Sequence, residues 1–526
     1  MPVQLCNINN TVQISRETMI DLDIFNVLQD FFPGRSSQDN NEIELFLQKY
    51  LTDDASEIQR RSEIISGFHD NPESGFLLNA IINEWERLSH SLSELNHSPR
   101  PLLFFTHMQY AMEAYISSIK HLEDLFAFTA LPAAKEIADF VREQRCSSFY
   151  AEVLDCLQTV SKLIKPLDHV TLAVNVSESG EAAQIAITNP SSVNEKTIGM
   201  LRGEREDINS LCDLVPVATR GHLSQLEQYI ITQVEKIWAS PLSSAMRELK
   251  KINIGKLFDW QNWLAPIDLY RMGYLLLAKQ KENGSFFCRP APCGDRTEAK
   301  DMLYPHMVLS KRSPAPQAFD FTLGNTVMIT GANNSGKTSV LKSFAQNCIL
   351  AQLGFWVFAN SFLFIPFKRW LTVFSAGEDS QLHASRYQQE AAKMRAAVEN
   401  AKQDTCLLLN EPFTSTNPAE AASLLKDIVA ELNSKNVTMI LVTHIHDVYE
   451  SLCGLNQANL RSYDTCSKIN GNDIYFTFQL EERAPDMLSY ARLLAYEYGF
   501  SVEKLLDNPI EKTAIKNIIQ GGVSNT

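Results

Sequence analysis

Apolar positions follow two periods along the chain. Up to about residue 165 they recur three and four apart, which predicts helices. Glu42 to Leu47 is a short amphipathic stretch. Asp54-Ala55-Ser56-Glu57 offers an N-cap with a Glu three residues on, opening a helix through Ile58, Ile64 and Ile65. Helical spacing continues through Phe76-Leu77-Leu78 and from Met112 to Leu125. The period then falls to two. Val170, Leu172, Val174 and Val176 alternate with Thr171, Ala173 and Asn175, break at Glu178-Ser179-Gly180-Glu181, and resume at Ala183, Ile185 and Ile187, predicting a hairpin. Gly203 to Arg220 reads as a loop. Helical spacing returns over 221–250 through Leu223, Leu226, Ile230, Val234 and Ile237. It recurs over Pro266 to Lys279 through Leu269, Met272, Leu275 and Leu276. Gly284, Pro290 and Pro292 then mark the main boundary, at about residue 290.

Ile349 to Phe367 is the most apolar run, with Phe355, Trp356, Val357, Phe358 and Phe362 in it. A membrane-spanning helix needs about 20 predominantly apolar residues. This run barely reaches that length, and Gln352, Gly354, Asn360, Ser361 and Pro366 divide it. A buried helix followed by a buried strand is the better reading, so no membrane partner is expected.

Composition narrows the class. At 526 residues, 45% hydrophobic and 21% charged, the chain is globular, too long for one core, and neither disordered nor a continuous coiled coil. The net charge of −15 is not the usual footprint of a protein that coats nucleic acid, though it leaves room for a local basic groove. None of the ten cysteines forms a C-x-x-C pair, and Met1 to Cys6 has no basic segment leading into an apolar run. The expectation is a cytoplasmic chain with reduced thiols.

Three short stretches carry the chemistry. Gly331-x4-Gly336-Lys337-Thr338 fits the phosphate-loop pattern, with an apolar strand before it (Val327 to Ile329) and a helix after it (Val340 to Asn347). Glycines let backbone N–H groups turn toward phosphate oxygens, and the helix N-terminus adds partial positive charge. Lys337 would reach the β- and γ-phosphates, and Thr338 would offer its hydroxyl to Mg²⁺. The candidate ATP-binding residues are Gly331, Asn333, Asn334, Ser335, Gly336, Lys337, Thr338 and Ser339. Cys406 to Glu411 is an apolar strand ending in the second half of such a site. Glu411 would orient or deprotonate the attacking water. Asn410 stands where an Asp normally holds the Mg²⁺ hydration shell, so it can accept a hydrogen bond but brings no charge. Weaker Mg²⁺ binding and slower turnover are expected. A third strand, Met439 to Thr443, ends at His444, either a sensor of the γ-phosphate or a satisfied structural histidine, and the strand end favours the sensor. His446 is read as structural.

These motifs resemble the MutS family of DNA mismatch-repair ATPases. The loop is similar to the family's Gly-Pro-Asn-x-x-Gly-Lys-Ser/Thr, with Ala332 in place of Pro and Asn333 retained. Ile349 to Gly354, with Val357 and Ala359, resembles Leu-Ala-Gln-Ile-Gly…Val-Pro-Ala, and Leu371 to Asp379 resembles the stretch that follows. Asn410 to Ala421 is similar to Asp-Glu-Leu-Phe-Arg-Gly-Thr-Asn-Pro-x-Glu-Ala. Glu411, Phe413, Thr416, Asn417, Pro418 and Glu420 match, whereas Asn410, Thr414 and Ser415 depart. Thr443-His444-x-His446 resembles Thr-His-x-His. Ser385 and Glu390 match a family signature that implies a cap on ATP held by the opposite subunit, with His383 in place of its Gly. Ser489 to Gly499 resembles the C-terminal segment that helps the family dimerise.

The resemblance implies a multidomain chain, with an α-helical core and lever region followed by an α/β P-loop (ABC-type) ATPase domain. The expected division is 1–290 for core and lever with a small β insertion near 170–188, 291–483 for the ATPase, and 484–526 for dimerisation. No mismatch-reading domain is expected before residue 20 and no nuclease-like tail after 505, and 167–221 is small for a DNA clamp. The function expected is ATP hydrolysis at a homodimer interface, coupled to movement of helical arms, with duplex or branched DNA as a candidate partner. The alternative is a nucleotide-gated scaffold that hydrolyses weakly and grips a protein partner.

Overall fold

The computed structural model describes residues 3–8, 12–32, 40–69, 71–95, 100–127, 132–164, 171–176, 182–188, 231–232, 234–236, 238–332, 334–374, 386–414, 416–454, 459–470 and 473–485. The chain is mixed helical and α/β. It divides into two compact units, Met1–Leu5 with Asp70–Arg271, and Cys6–His69 with Met272–Thr526.

The strands, in chain order, begin with β1 (Gln13–Ile14), β2 (Thr171–Val176), β3 (Ala182–Thr188), β4 (Ala291–Pro292), β5 (Arg296–Met302), β6 (Gln317–Thr322) and β7 (Thr326–Thr330). They continue with β8 (Ser361–Phe364), β9 (Arg369–Phe374), β10 (Thr405–Asn410), β11 (Thr438–Val442), β12 (Leu460–Asn470) and β13 (Asp473–Glu482).

The first unit is built on long helices, among them Ser74–Leu95, Pro101–Phe126, Pro132–Arg145 and Ser148–Ile164. Apolar residues three and four apart on Pro101–Phe126, such as Met108, Met112, Tyr115, Ile119 and Leu122, are buried. Trp260 is buried too, and its indole N–H finds the Ser118 hydroxyl at 2.9 Å, so the ring's one polar atom is satisfied. The start of the chain joins this unit by two hydrogen bonds. Trp263 Nε1 donates to the Val3 carbonyl and the Tyr270 hydroxyl to that of Leu5. The expected hairpin is present as β2 and β3, paired antiparallel. Of the helix expected over 221–250, residues 221–230 lie outside the described residues. Residues 231–232 and 234–236 are helical, and Ala239–Leu249 continues after a distortion at Trp238 (φ −111°, ψ 22°).

The second unit carries a seven-stranded sheet in the order β1-β9-β10-β11-β7-β12-β13. All its pairings are parallel except β12 with β13. Every residue of β7 and β11 is buried, as is all of β10 but its last, Asn410. A parallel strand covered on both faces reads as a continuous apolar run, which is why these three are plain in the sequence. A four-stranded sheet, β4-β8-β5-β6, belongs to the same unit.

The apolar run is interior structure. The helix Lys337–Gln352 is buried along nearly its whole length, and β8 follows. Its buried amide side chains are paired. Gln352 Nε2 donates to the carbonyls of Thr52 and Phe367, while its Oε1 accepts from Trp370 Nε1 at 2.8 Å. Asn347 donates to the Leu303 carbonyl and accepts from the Phe358 N–H. Buried amides paired in this way avoid the desolvation cost of an unmet donor or acceptor. No helix among the described residues is long and apolar enough to cross a membrane.

Asp54 does cap the helix Ala55–His69, accepting from the Ser56 and Glu57 N–H groups. Glu57 has another task than the expected return bond. Its carboxylate accepts from the Asn7 N–H and from Arg61 Nε at 2.9 Å. Arg61 is 1% exposed and also donates to the carbonyls of Tyr50 and Asn7.

Candidate functional site

In the seven-stranded sheet β11 lies between β10 and β7, and the candidate residues follow the C-terminal ends of these three strands. Such strand ends are where open parallel sheets place their sites. After β7 the chain turns through Gly331 (φ 134°), Asn334 (φ 63°) and Gly336 (φ 93°) into the helix Lys337–Gln352. Positive φ is open to glycine and tolerated by Asn, so this sequence folds into a tight loop feeding a helix N-terminus. At Gly331 a Cβ would also lie 1.8 Å from Thr465 Oγ1.

Lys337 is 4% exposed, with its ammonium folded back onto the carbonyls of Gly331 (3.0 Å) and Ala332 (2.8 Å). Glu411 Oε1 stands 3.9 Å from the same nitrogen. Burial pulls the Lys337 pKa below its ordinary value, and the nearby carboxylates of Glu411 and Asp464 oppose that pull. Thr338 Oγ1 donates to Asn410 Oδ1 at 2.8 Å. Ser335 is buried, and its hydroxyl meets Thr465 rather than open space. Ser339 lines the cavity described below.

Glu411 follows β10 with φ 50°, and its N–H extends the ladder to the Val442 carbonyl. Phe413 also has positive φ, at 60°. Two non-glycine residues held left-handed beside one site is the kind of backbone strain found at functional loops. His444 Nδ1 lies 3.7 Å from Glu411 Oε1. The imidazole is the main influence holding the Glu411 carboxyl below the ordinary carboxylate range, Lys337 acts in the same direction, and burial acts against both.

A cavity of about 750 Å³ opens over these groups, lined by Asn334, Gly336, Lys337, Thr338, Ser339 and Glu411, and by Tyr304, Met307, Gln317 and Phe478 on other walls. That is the size of pocket that takes a cofactor-sized molecule. The last four carry no local motif that marks them in the sequence. Phe478 alternates with Ile474 and Phe476 along β13, a period-two signal that marks a strand but not a site. Its φ is 55°, and Gln317 fixes the kink by bonding the Phe478 carbonyl and the Leu480 N–H. The Tyr304 hydroxyl is 3.3 Å from Asp23 Oδ2, which also receives Lys342 at 2.7 Å.

Lys337, Thr338, Asn410, Glu411 and His444 are thus brought together. Asn333, His383, Ser385 and Ser489 to Gly499 lie outside the described residues, as does Leu371 to Asp379 beyond Phe374.

Comparison with known proteins bears on the same segment of the chain. The family MutS domain V matches residues 327–512, which span β8 to β13, nearly all of β7 and the loop. DNA mismatch repair protein MutS of Haloquadratum walsbyi is 26% identical over 227 residues, 42% of this chain and 23% of that protein. Endonuclease MutS2 of Carboxydothermus hydrogenoformans is 31% identical over 147 residues, 27% of this chain and 18% of its own. A MutS of Bacillus pumilus is 23% identical over 274 residues, about half of this chain and 30% of that protein. The chain therefore matches less than a third of the length of these relatives. The segment 327–512, which matches MutS domain V, and the likeness to MutS and MutS2 proteins support a member of the MutS family.

Proposed function

We propose that the chain is a MutS-like, DNA-repair-type ATPase that binds ATP in the 750 Å³ cavity and hydrolyses it. One observation carries the reading: Lys337, Thr338 and Glu411, which follow two different strand ends, line one cavity. The Gly331–Gly336 loop would cradle the phosphates, with Lys337 exchanging its two carbonyl partners for phosphate oxygens. Phe478 and Tyr304, which also line the cavity, would supply aromatic surface for the base. Glu411, ionised at neutral pH, would orient the attacking water and accept its proton as the oxygen bonds to the γ-phosphorus and the bond to the leaving diphosphate breaks. His444 would hold Glu411 in place and sense the γ-phosphate.

Thr338 Oγ1 and Asn410 Oδ1 are adjacent oxygen donors, the ligand type Mg²⁺ prefers when it keeps several waters. They fit the ion and would hold it. Mg²⁺, when bound, neutralises charge on the β- and γ-phosphates.

The wider reading is part of the proposal. A core and lever region (1–290) would respond to an ATPase domain (291–483), with dimerisation through 484–526 and Ser385 of one subunit capping ATP on the other. ATP would shift an open–closed equilibrium of that homodimer by its differential affinity for the closed form. The arms would act on duplex or branched DNA in the cytoplasm. The neutral Asn410 and the net charge of −15 favour a second reading, a nucleotide-gated scaffold that hydrolyses weakly and holds a protein partner.

Steady-state ATP turnover and equilibrium ATP binding separate the two. Turnover that Glu411→Gln abolishes supports the ATPase. Tight binding without turnover supports the scaffold, and absence of ATP binding overturns both. DNA affinity measured against salt tests the arms. A steep fall with salt is expected from phosphate contacts, and no binding even at low salt removes DNA from the reading.

A further inference from the structure

The Gly331–Gly336 loop rests on a hydroxyl from a strand about 130 residues away. Ser335, at 1% exposure, points its hydroxyl down to Thr465 of β12, with 2.5 Å between the oxygens. Thr465, 2% exposed, donates in turn to the Thr330 carbonyl at 3.2 Å. Each hydroxyl has one proton, so the order is fixed: Ser335 donates to Thr465, and Thr465 donates to the last residue of β7. Thr465 also fills the space that a side chain at 331 would need.

The support beneath it is charged. Asp464, 2% exposed, accepts from the Thr330 hydroxyl at 3.1 Å and from Arg483 Nη2 at 2.6 Å. Thr330 thus receives Thr465 at its carbonyl while its own hydroxyl is held by Asp464. The segment that pins the loop is continuous with the β12–β13 hairpin, which brings Phe478 to within 3.3 Å of where a Gly336 Cβ would stand.

We propose that Thr465 is a positioning residue for nucleotide binding, which sets the conformation of the Gly331–Gly336 loop through the Ser335 hydroxyl, with Asp464 and Arg483 as its anchor. This rests on the reading of the cavity as an ATP site. Loss of the Ser335–Thr465 bond removes a side-chain tie between the loop and β12, and the loop N–H groups lose the arrangement that suits phosphate.

The test uses the full-length chain with a fluorescent ATP analogue in equilibrium titration, together with kcat and KM for ATP. Thr465→Val keeps the shape and removes the hydroxyl. It should weaken analogue binding about five- to tenfold, the loss of one net hydrogen bond, and raise KM more than it lowers kcat. Thr465→Ser should restore wild-type affinity. Ser335→Ala should weaken binding by up to a similar factor, and the double variant should be no worse than Thr465→Val, which already breaks the Ser335 bond along with the one to the Thr330 carbonyl. Thermal unfolding of the nucleotide-free variants checks that each is folded. Wild-type chain that fails to bind the analogue would overturn the ATP reading and this inference with it. Wild-type binding with Thr465→Val within twofold of it, or single effects that simply multiply in the double variant, would overturn this inference alone.

Discussion

The hydroxyl of Thr338 lies 2.8 Å from the side-chain oxygen of Asn410. The first turn of the helix after the loop therefore meets a neutral acceptor at the tip of β10, where a carboxylate would bring a full negative charge. On the proposed reading this contact sets the metal dependence of the site.

Asn410→Asp should tighten that dependence. A carboxylate accepts from metal-bound water roughly twice as strongly as an amide. The Mg²⁺ concentration giving half-maximal ATP turnover should fall about tenfold or more. A Mg²⁺ titration of wild type and variant at fixed ATP checks it. An unchanged midpoint would mean that Asn410 does not face the ion.

Glu411→Gln keeps size and hydrogen bonding but cannot take a proton. Turnover should drop about a hundredfold or more, with ATP affinity within a few-fold of wild type. His444→Ala should lower kcat by a smaller factor, since it removes the neighbour 3.7 Å from Glu411 and leaves the carboxylate. Single-turnover rates beside equilibrium binding separate the two effects.

Activity should have two pH limbs of opposite sign, whereas stability should rise with pH on both. Glu411 has a lowered pKa, so its contribution to stability and catalysis is present at neutral pH and lost as pH falls through a value below the ordinary 4.5. Lys337 is also lowered, from 10.5. Between its folded and ordinary values the unfolded chain binds more protons, so stability rises with pH there. ATP affinity should do the reverse and fade as Lys337 deprotonates. Binding on that alkaline limb should take up protons, which calorimetry in two buffers of different ionisation enthalpy measures directly.

Arg61 and Glu57 form a buried pair at 2.9 Å. Arg61→Met would take from the buried Glu57 carboxylate its closest cation and remove the guanidinium's bonds to the carbonyls of Tyr50 and Asn7, at a cost of about 3–5 kcal/mol. Adding Glu57→Gln should recover part of that loss. Denaturant unfolding of the two variants checks both steps.

The candidate site was legible where chemistry and strand share a local segment. Gly331 to Thr338, Asn410-Glu411 and His444 each end or follow a strand whose apolar run is continuous. A buried parallel strand has no polar face, so the run itself marks the element. Tyr304, Gln317, Thr465 and Phe478 were not legible. Each acts through a partner far along the chain, as Ser335 does with Thr465 or Gln317 with Phe478, and neither period nor motif encodes such a partner.

The sequence by itself determined the helical periods, the β2–β3 hairpin, the central strands and the loop, because propensity, periodicity and glycine conformation are local. It also determined that Asn replaces a carboxylate at 410. Only the tertiary structure decided that Gln13–Ile14 pairs with β9, more than 350 residues on, and that Cys6–His69 packs with Met272–Thr526. The same holds for the turning of Glu57 from its cap to Arg61 and for the support of the loop by a threonine from β12. Those outcomes depend on which buried donors and acceptors must be satisfied once the core closes, and that is settled by the whole chain at once.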